Sequence, residues 1–93
     1  MNQDAGAVLY TRPACPLCFA MKREASRLAR RFRLPLRTVD ISGTRDLLSR
    51  YGTEVPVLEL PGGVTFRGRA ESAALYAAFR EASKGTPRPE RLS

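Results

Sequence analysis

The sequence predicts a single α/β domain in which a four-stranded mixed sheet carries helices on both of its faces. Two observations predict this fold class. A strand, an amphipathic helix and a second strand follow one another within about 35 residues, the length of a parallel crossover unit. Farther along the chain, two short apolar runs flank a glycine-containing turn, which indicates a hairpin, and a last helix follows.

The crossover unit is predicted in the first half of the chain. Residues 7–11 are a short run of strand-forming residues. Between residue 16 and about residue 33, apolar residues recur at steps of three and four, which places them on one face of a helix. They are Leu17, Met21, Ala25, Leu28 and Phe32. Pro35 ends this helix, and residues 36–41 form the second strand.

A short helix and the hairpin are predicted next. Thr44 or Ser42 is expected to cap the short helix, and Gly52 is placed to end it. Residues 55–60 and 64–67 are the two strands of the hairpin, with a Pro-Gly-Gly turn between them.

The last helix is expected over about residues 70–83. It offers five apolar residues to the core: Ala74, Leu75, Ala78, Phe79 and Ala82. Residues 1–84 are therefore expected to form the domain, and residues 85–93, which contain Pro and Arg, a flexible tail.

Composition and hydropathy bound the class of protein. The chain of 93 residues is 43% hydrophobic and 27% charged, which is typical of one folded globular domain. No apolar run approaches the roughly 18–20 residues that cross a bilayer, and the first residues lack the pattern of a secretory signal. We therefore expect a cytoplasmic monomer that does not enter a membrane.

The net charge of +7 raises the question of a nucleic-acid partner. Its densest basic run, around the end of the first helix, is Arg27, Arg30, Arg31 and Arg33. Cations at the end of a helix complement the helix dipole, which favours a solvated face. The alternative is that the run is a docking surface for an acidic partner. The three Tyr and four Phe residues mostly occupy predicted core positions and form no stacking surface, so nucleic-acid binding is not favoured.

The candidate active site is a pair of cysteines at the junction of the first strand and the first helix. Two cysteines are too few for a disulfide scaffold, and the Cys15-Pro16-Leu17-Cys18 spacing indicates chemistry. At a helix start, free N–H groups and the positive helix end lower a cysteine pKa from about 8.5 to roughly 3.5–7.5. Pro16 loses no needed donor at the first helical position, and Arg12 adds positive charge nearby.

The two thiols are expected to divide the reaction. Cys15 attacks a substrate disulfide, and Cys18, one turn farther into the helix and more buried, attacks Cys15 to release the product, with Leu17 at the rim. A structural zinc or iron–sulfur site needs four ligands, and the chain has no third cysteine and no histidine, so a metal or cluster would have to bridge two chains. Two inert buried cysteines are the remaining alternative.

The segment from Val8 to Cys18 resembles the first strand and active-site turn of glutaredoxins and of bacterial glutaredoxin-like proteins. Glu-Val-Pro-Val-Leu at residues 54–58 resembles the Val-Pro that opens their third strand. The resemblance covers about residues 7–83 and implies a thioredoxin-like fold. It also implies that Pro56 is cis and lies beside Cys15, where the backbone of Val55 pairs with an extended peptide or glutathione.

Three departures from the glutaredoxin pattern concern the substrate. Glutaredoxins place Tyr or Phe where this chain has Leu17, and Lys where it has Arg12. After the fourth strand they carry a Gly-Gly and an acidic or Ser residue that bind glutathione, where this chain has Gly68-Arg69-Ala70-Glu71-Ser72. The resemblance thus implies a thiol–disulfide oxidoreductase with no tightly bound cofactor, and it leaves open whether glutathione is a co-substrate.

Three functions fit these residues. The first is a glutaredoxin-like enzyme that reduces protein disulfides or glutathione mixed disulfides with electrons from glutathione. The second is a thioredoxin-like protein that a flavoprotein reductase reduces after docking on the basic surface between Lys22 and Arg33. The third is a non-enzymatic redox sensor, or a module whose thiols hold an iron–sulfur cluster between two chains.

Overall fold

A computed structural model describes residues 6–85 of the chain. In chain order its elements are β1 (Ala7–Thr11), α1 (Pro16–Phe32), β2 (Leu36–Asp40), a 3₁₀ turn (Ile41–Gly43), α2 (Arg45–Tyr51), β3 (Val57–Glu59), β4 (Thr65–Arg67) and α3 (Ser72–Gly85). The tail predicted over residues 85–93 falls, from residue 86 onward, outside the described residues.

The four strands form one mixed sheet in the order β2-β1-β3-β4. β1 runs parallel to β2, with Thr11 opposite Asp40. β1 runs antiparallel to β3, with Tyr10 opposite Val57, and β3 pairs antiparallel with β4. The prediction of a four-stranded mixed sheet built from a crossover unit and a hairpin is therefore confirmed.

The larger buried cluster lies between one face of the sheet and helices α1 and α3. Its members are Ala7, Leu9, Met21, Ala25, Leu28, Ala29, Leu34, Leu58, Leu60, Leu75, Phe79 and Ala82. Burying one large apolar side chain stabilises a fold by about 1.5–3 kcal/mol. This cluster therefore fixes α1 against the sheet, and with it the position of the helix start.

The second cluster lies on the opposite face of the sheet, under α2. Tyr51 of α2 packs there with Ile41 and Val57, and its ring stacks on that of Tyr10 at a centroid distance of 4.5 Å. Tyr10 faces this cluster while its neighbour Leu9 faces the larger one, because successive strand residues point to opposite faces. The prediction of helices on both faces is confirmed.

Two residues expected in the core, Leu17 and Ala74, are exposed. Leu17 is 41% exposed because the larger cluster begins, within α1, only at Met21, so the first helical turn extends beyond it. Ala74 is exposed because it lies at the edge of the buried stripe of α3, beside an open groove next to the hairpin turn. Phe19 and Tyr76 are also exposed. None of the helices within residues 6–85 is both long and apolar enough to span a membrane.

The short helix has its caps at the predicted residues, Thr44 and Gly52, but these residues act differently from the expectation. Thr44 holds the N-cap position of α2 without a side-chain hydrogen bond, whereas Asp40 caps the preceding 3₁₀ turn. The backbone and side-chain hydrogen bonds from Ser42 lower the pKa of Asp40. Gly52 ends α2 in a right-handed conformation, and a Cβ atom there would lie 2.5 Å from the carbonyl oxygen of Leu48. Close approach, not left-handed backbone, requires this glycine.

The hairpin strands are shorter than the apolar runs that predict them. β3 begins only after Pro56, which has no N–H to contribute to a ladder. Gly62 and Gly63 form the turn with φ angles of 95° and 97°, which glycine adopts without steric cost. The turn is closed by a hydrogen bond from the N–H of Leu60 to the carbonyl oxygen of Val64, at 2.8 Å.

Candidate active site

Cys15 occupies the N-cap position of α1. Its backbone is extended, with φ −125° and ψ 102°, and its Sγ atom accepts a hydrogen bond from the N–H of Cys18 at 3.1 Å. The first N–H groups of a helix have no partner within the helix, so the sulfur here does what a Ser or Asp oxygen does at other N-caps. Pro16, at the first helical position, needs no such partner.

The turn before Cys15 contains a left-handed residue that is not glycine. Ala14 has a φ of 55°, a conformation that costs an L-residue roughly 1–2 kcal/mol. The turn must connect the end of β1 at Thr11 to the start of α1 within four residues. The chain therefore holds Cys15 at the helix start at the expense of local strain.

Cys15 and Cys18 form a disulfide, and their Cα atoms are 5.2 Å apart. Cys15 is half-buried, whereas Cys18 is only 3% exposed. The pair thus has one accessible sulfur and one buried sulfur. Within residues 6–85, no three His, Cys, Asp or Glu side chains lie close enough together to hold a metal ion.

A surface depression of about 560 Å³ opens at the cysteine pair. Its lining consists of Thr11, Arg12, Pro13, Ala14, Cys15, Pro16, Cys18, Phe19 and Lys22. The charged side chains among these are Arg12 and Lys22, and both are positive. Phe19 is 67% exposed and contributes an apolar wall. The depression suits a substrate that combines negative charge with an apolar group.

Arg12 lines the depression and also contacts the end of α2. Its guanidinium donates a hydrogen bond to the carbonyl oxygen of Gly52 at 3.1 Å. This carbonyl lies at the C-terminal end of α2, where carbonyl groups lack partners within the helix. Arg12 therefore fixes the turn before Cys15 to the end of α2, which the sequence does not indicate.

The peptide bond between Val55 and Pro56 is cis, as the resemblance to glutaredoxins implies. The side chain of Pro56 is fully buried, and its carbonyl oxygen accepts a hydrogen bond from the N–H of Gly68 at 2.8 Å. Because Tyr10 pairs with Val57, one further step of the same register brings Pro56 alongside Thr11. The start of β3 thus lies at the end of β1 from which the turn to Cys15 departs.

The predicted site residues fall into two groups. Arg12, Cys15, Pro16 and Cys18 line the depression together. A second set does not line it: Leu17, Val55, Pro56, Gly68 and Arg69. Val55 packs against the second cluster, and Gly68 contacts Pro56.

Comparison with protein families gives a match over most of the described chain. The model of the family "Glutaredoxin-like domain (DUF836)" matches residues 7–80. The chain belongs to this glutaredoxin-like family. Comparison with curated protein sequences gives no match.

Solved structures share the fold of this glutaredoxin-like domain. The crystal structure of protein XcR50 from X. campestris is 28% identical with a TM-score of 0.63, and the match covers 82% of this chain and 97% of that one. Protein Ne2328 from Nitrosomonas europaea is 24% identical with a TM-score of 0.61, covering 85% and 98%. The J-Trx1 fragment of ERdj5 is 18% identical with a TM-score of 0.62, covering 86% and 42%. The fold is thioredoxin-like.

Two residues of this glutaredoxin-like domain line the site although the motif does not indicate them. Phe19 follows Cys15 by four positions, and Lys22 follows Cys18 by four, so each lies one helical turn beyond a cysteine on the same side of α1. That spacing is the signal in the sequence that points to them. Family membership and the Cys15–Cys18 disulfide together support a thiol–disulfide redox function.

Proposed function

We propose that this glutaredoxin-like domain is a thiol–disulfide oxidoreductase in which Cys15 is the nucleophile and Cys18 the resolving thiol. One observation carries the proposal. Both cysteines line the depression, but Cys15 is half-buried and its Sγ atom caps α1 by accepting the N–H of Cys18, whereas Cys18 is only 3% exposed. This asymmetry favours Cys15 as the sulfur that meets a substrate.

In the first step the reduced protein attacks a substrate disulfide. The helix N-terminus favours the thiolate of Cys15, which forms a bond to one substrate sulfur while the substrate S–S bond breaks. The second substrate sulfur leaves as a thiolate and takes a proton from solvent. The product is a mixed disulfide between Cys15 and the substrate.

In the second step Cys18 releases the substrate. It gives its proton to solvent, and its sulfur then attacks the Sγ atom of Cys15, displacing the remaining substrate sulfur as a thiolate. The substrate has gained two electrons, and the protein ends in the Cys15–Cys18 disulfide that the structure contains. Only sulfur atoms exchange bonds, so the proposal includes no tightly bound cofactor.

The proposed reductant is glutathione, two molecules of which supply the two electrons and leave as glutathione disulfide. Glutathione carries net negative charge at neutral pH, and the charged side chains that line the depression, Arg12 and Lys22, are both positive. The proposed substrates are disulfide-containing proteins and mixed disulfides of glutathione.

The test is reduction of a glutathione mixed disulfide by the pure protein with glutathione, glutathione reductase and NADPH. We expect turnover by the wild type and none by Cys15→Ser. Reduced Cys18→Ser, mixed with the substrate in the absence of glutathione, should accumulate a mixed disulfide that mass spectrometry locates on Cys15.

Two results would change the proposal in different ways. Equal residual turnover in the two variants would contradict the assigned thiol roles. No turnover with glutathione, together with reduction of the Cys15–Cys18 disulfide by a flavoprotein reductase, would keep the thiol roles and replace the electron source.

A further inference from the structure

A continuous basic stripe runs along the exposed side of α1, starting at the active site. We define the α1 stripe by five exposed residues: Phe19, Lys22, Arg23, Arg27 and Arg30. At about 100° per residue, Phe19, Arg23 and Arg30 project within about 40° of one another, and the other two flank them. The stripe faces away from the buried side of the helix, which contains Met21, Ala25 and Leu28.

Most of the positive charge of the α1 stripe is unpaired. Arg27 pairs with Glu24 at 2.5 Å. The side chains of Lys22, Arg23 and Arg30 have no hydrogen-bond or ion-pair partner in the part of the chain that the structure describes. Arg31 is different, because it donates to the Tyr76 hydroxyl and packs over that ring, so it belongs to the contact between α1 and α3.

Each end of the α1 stripe meets a depression of the surface. Phe19 and Lys22 line the depression at Cys15. At the other end, Ser26, Arg30 and Arg33 line a second depression of about 390 Å³. The stripe thus has a cationic depression at each end, and Cys15 lines only one of the two.

The length of the α1 stripe determines what size of partner it fits. Phe19 and Arg30 are eleven positions apart, which is about 16 Å at 1.5 Å per helical residue. A fully extended tripeptide spans at most about 10–11 Å, so glutathione bound at Cys15 does not reach the far end. A partner that contacts Arg30 as well as Cys15 must therefore be longer than glutathione.

We propose that the α1 stripe docks a carboxylate-rich surface of a protein substrate while Cys15 attacks the disulfide of that protein. The inference rests on the proposed oxidoreductase function and specifies its substrate class as acidic proteins. Complementary charge raises the rate of encounter and fixes the register of docking, and exposed Phe19 adds an apolar contact next to the sulfur.

The experiment uses two synthetic peptides as probes. Each has one cysteine in a mixed disulfide with thionitrobenzoate, a spacer of about five residues that spans 16 Å, and then a tract of six Glu or six Gln. Attack by reduced Cys15 bonds it to the peptide sulfur and releases coloured thionitrobenzoate, which gives the second-order rate. At 10 mM ionic strength we expect the Glu peptide to react about tenfold faster. In 1 M salt the two rates should agree within about twofold.

Charge-reversal variants localise the effect. Arg23→Glu with Arg30→Glu should abolish the preference for the Glu peptide. Arg37→Glu with Arg45→Glu makes the same change of net charge at two exposed arginines and should keep the preference. Arg45 belongs to α2. Arg37 pairs with Val8, which lies two residues from Tyr10 on β1, so Arg37 projects from the face of the sheet that α2 covers, opposite to α1. Arg23→Gln with Arg30→Gln is a milder change that keeps the test available if the Glu double variant does not fold. It should reduce the preference for the Glu peptide at least threefold.

Four outcomes would overturn the inference, and they are distinguishable. Equal rates for the two peptides at 10 mM ionic strength would remove the docking role while leaving the oxidoreductase intact. Equal loss of the preference in the two Arg→Glu double variants would show that net charge alone causes the preference for the Glu peptide. Stronger competition by a short single-stranded oligonucleotide than by an unreactive Glu peptide would assign the stripe to nucleic acid. No reaction with either peptide would contradict the proposed function itself.

Discussion

Arg12 donates a hydrogen bond from its guanidinium to the carbonyl oxygen of Gly52 at 3.1 Å, across 40 residues of sequence. The bond joins the strained turn before Cys15, which leads into α1, to the end of α2, and these two helices lie on opposite faces of the sheet. A carbonyl at a helix end needs a donor from elsewhere, and Arg side chains supply one there favourably.

Replacing Arg12 by Met should therefore destabilise the oxidised protein by about 0.5–1 kcal/mol, the net value of one such hydrogen bond. The change is measured as a shift of the urea midpoint. Arg45→Met is the matched control, since Arg45 is exposed and has no side-chain partner within residues 6–85, and its effect should stay below about 0.5 kcal/mol. Equal shifts in both variants would show that the contact with Gly52 contributes nothing.

Ala14→Gly should stabilise the protein. Left-handed backbone costs Ala about 1–2 kcal/mol, and glycine avoids this cost but loses about 0.5–1 kcal/mol in chain entropy. The expected net gain is about 0.5–1 kcal/mol in urea unfolding. Ala20→Gly, at an exposed right-handed position in α1, makes the identical chemical change and should destabilise by a similar amount. A loss of stability at both positions would argue against the left-handed turn.

The stability of the protein should fall in alkaline solution because of Tyr51. Burial, and the hydrogen bond that its hydroxyl donates to Glu59, raise the pKa of Tyr51. The folded protein then binds this proton more tightly than the unfolded chain does. The resulting stabilisation is complete below the ordinary tyrosine pKa of about 10 and is lost as pH rises through the folded value.

Tyr51→Phe should reduce the decline of stability at alkaline pH. It should also lower the free energy of unfolding by about 1 kcal/mol at neutral pH. Urea unfolding at pH 8, 10 and 11 measures both effects. Tyr76→Phe, at an exposed tyrosine of α3, should retain the decline of the wild type. An unchanged alkaline decline in Tyr51→Phe would mean that other groups cause it.

The sequence predicts α1 and the cysteine pair well because their signals are local. Apolar spacing places the helix, and Pro16 and Cys15 mark its start as the structure has it. The family resemblance adds the cis bond before Pro56, which no spacing reveals. These features follow from neighbouring residues or from a matching motif.

What the sequence does not predict depends on distant contacts. The bond between Arg12 and Gly52 joins segments 40 residues apart. Ala74 fits the apolar spacing of α3 but is exposed, because spacing does not show that this residue borders an open groove beside the hairpin turn. Phe19 resembles a core residue by type, yet it is exposed on α1 and lines the depression at Cys15.

Phe19 and Leu17 provide a direct test of which residue shapes the rim. The motif indicates Leu17, whereas the structure places Phe19 in the lining of the depression and Leu17 outside it. Both side chains are exposed, at 67% and 41%, so replacing either by Ser should change the free energy of unfolding by similar small amounts, about 0.5 kcal/mol.

The rates should separate the two positions. A substrate contact worth about 1 kcal/mol corresponds to roughly fivefold in rate. Phe19→Ser should therefore slow the attack of Cys15 on a peptide disulfide with apolar flanking residues about fivefold, and Leu17→Ser less than twofold. A small symmetric disulfide, too short to touch the rim, should react with both variants at the wild-type rate. A larger effect at Leu17 would place the substrate on the opposite side of Cys15 from the depression.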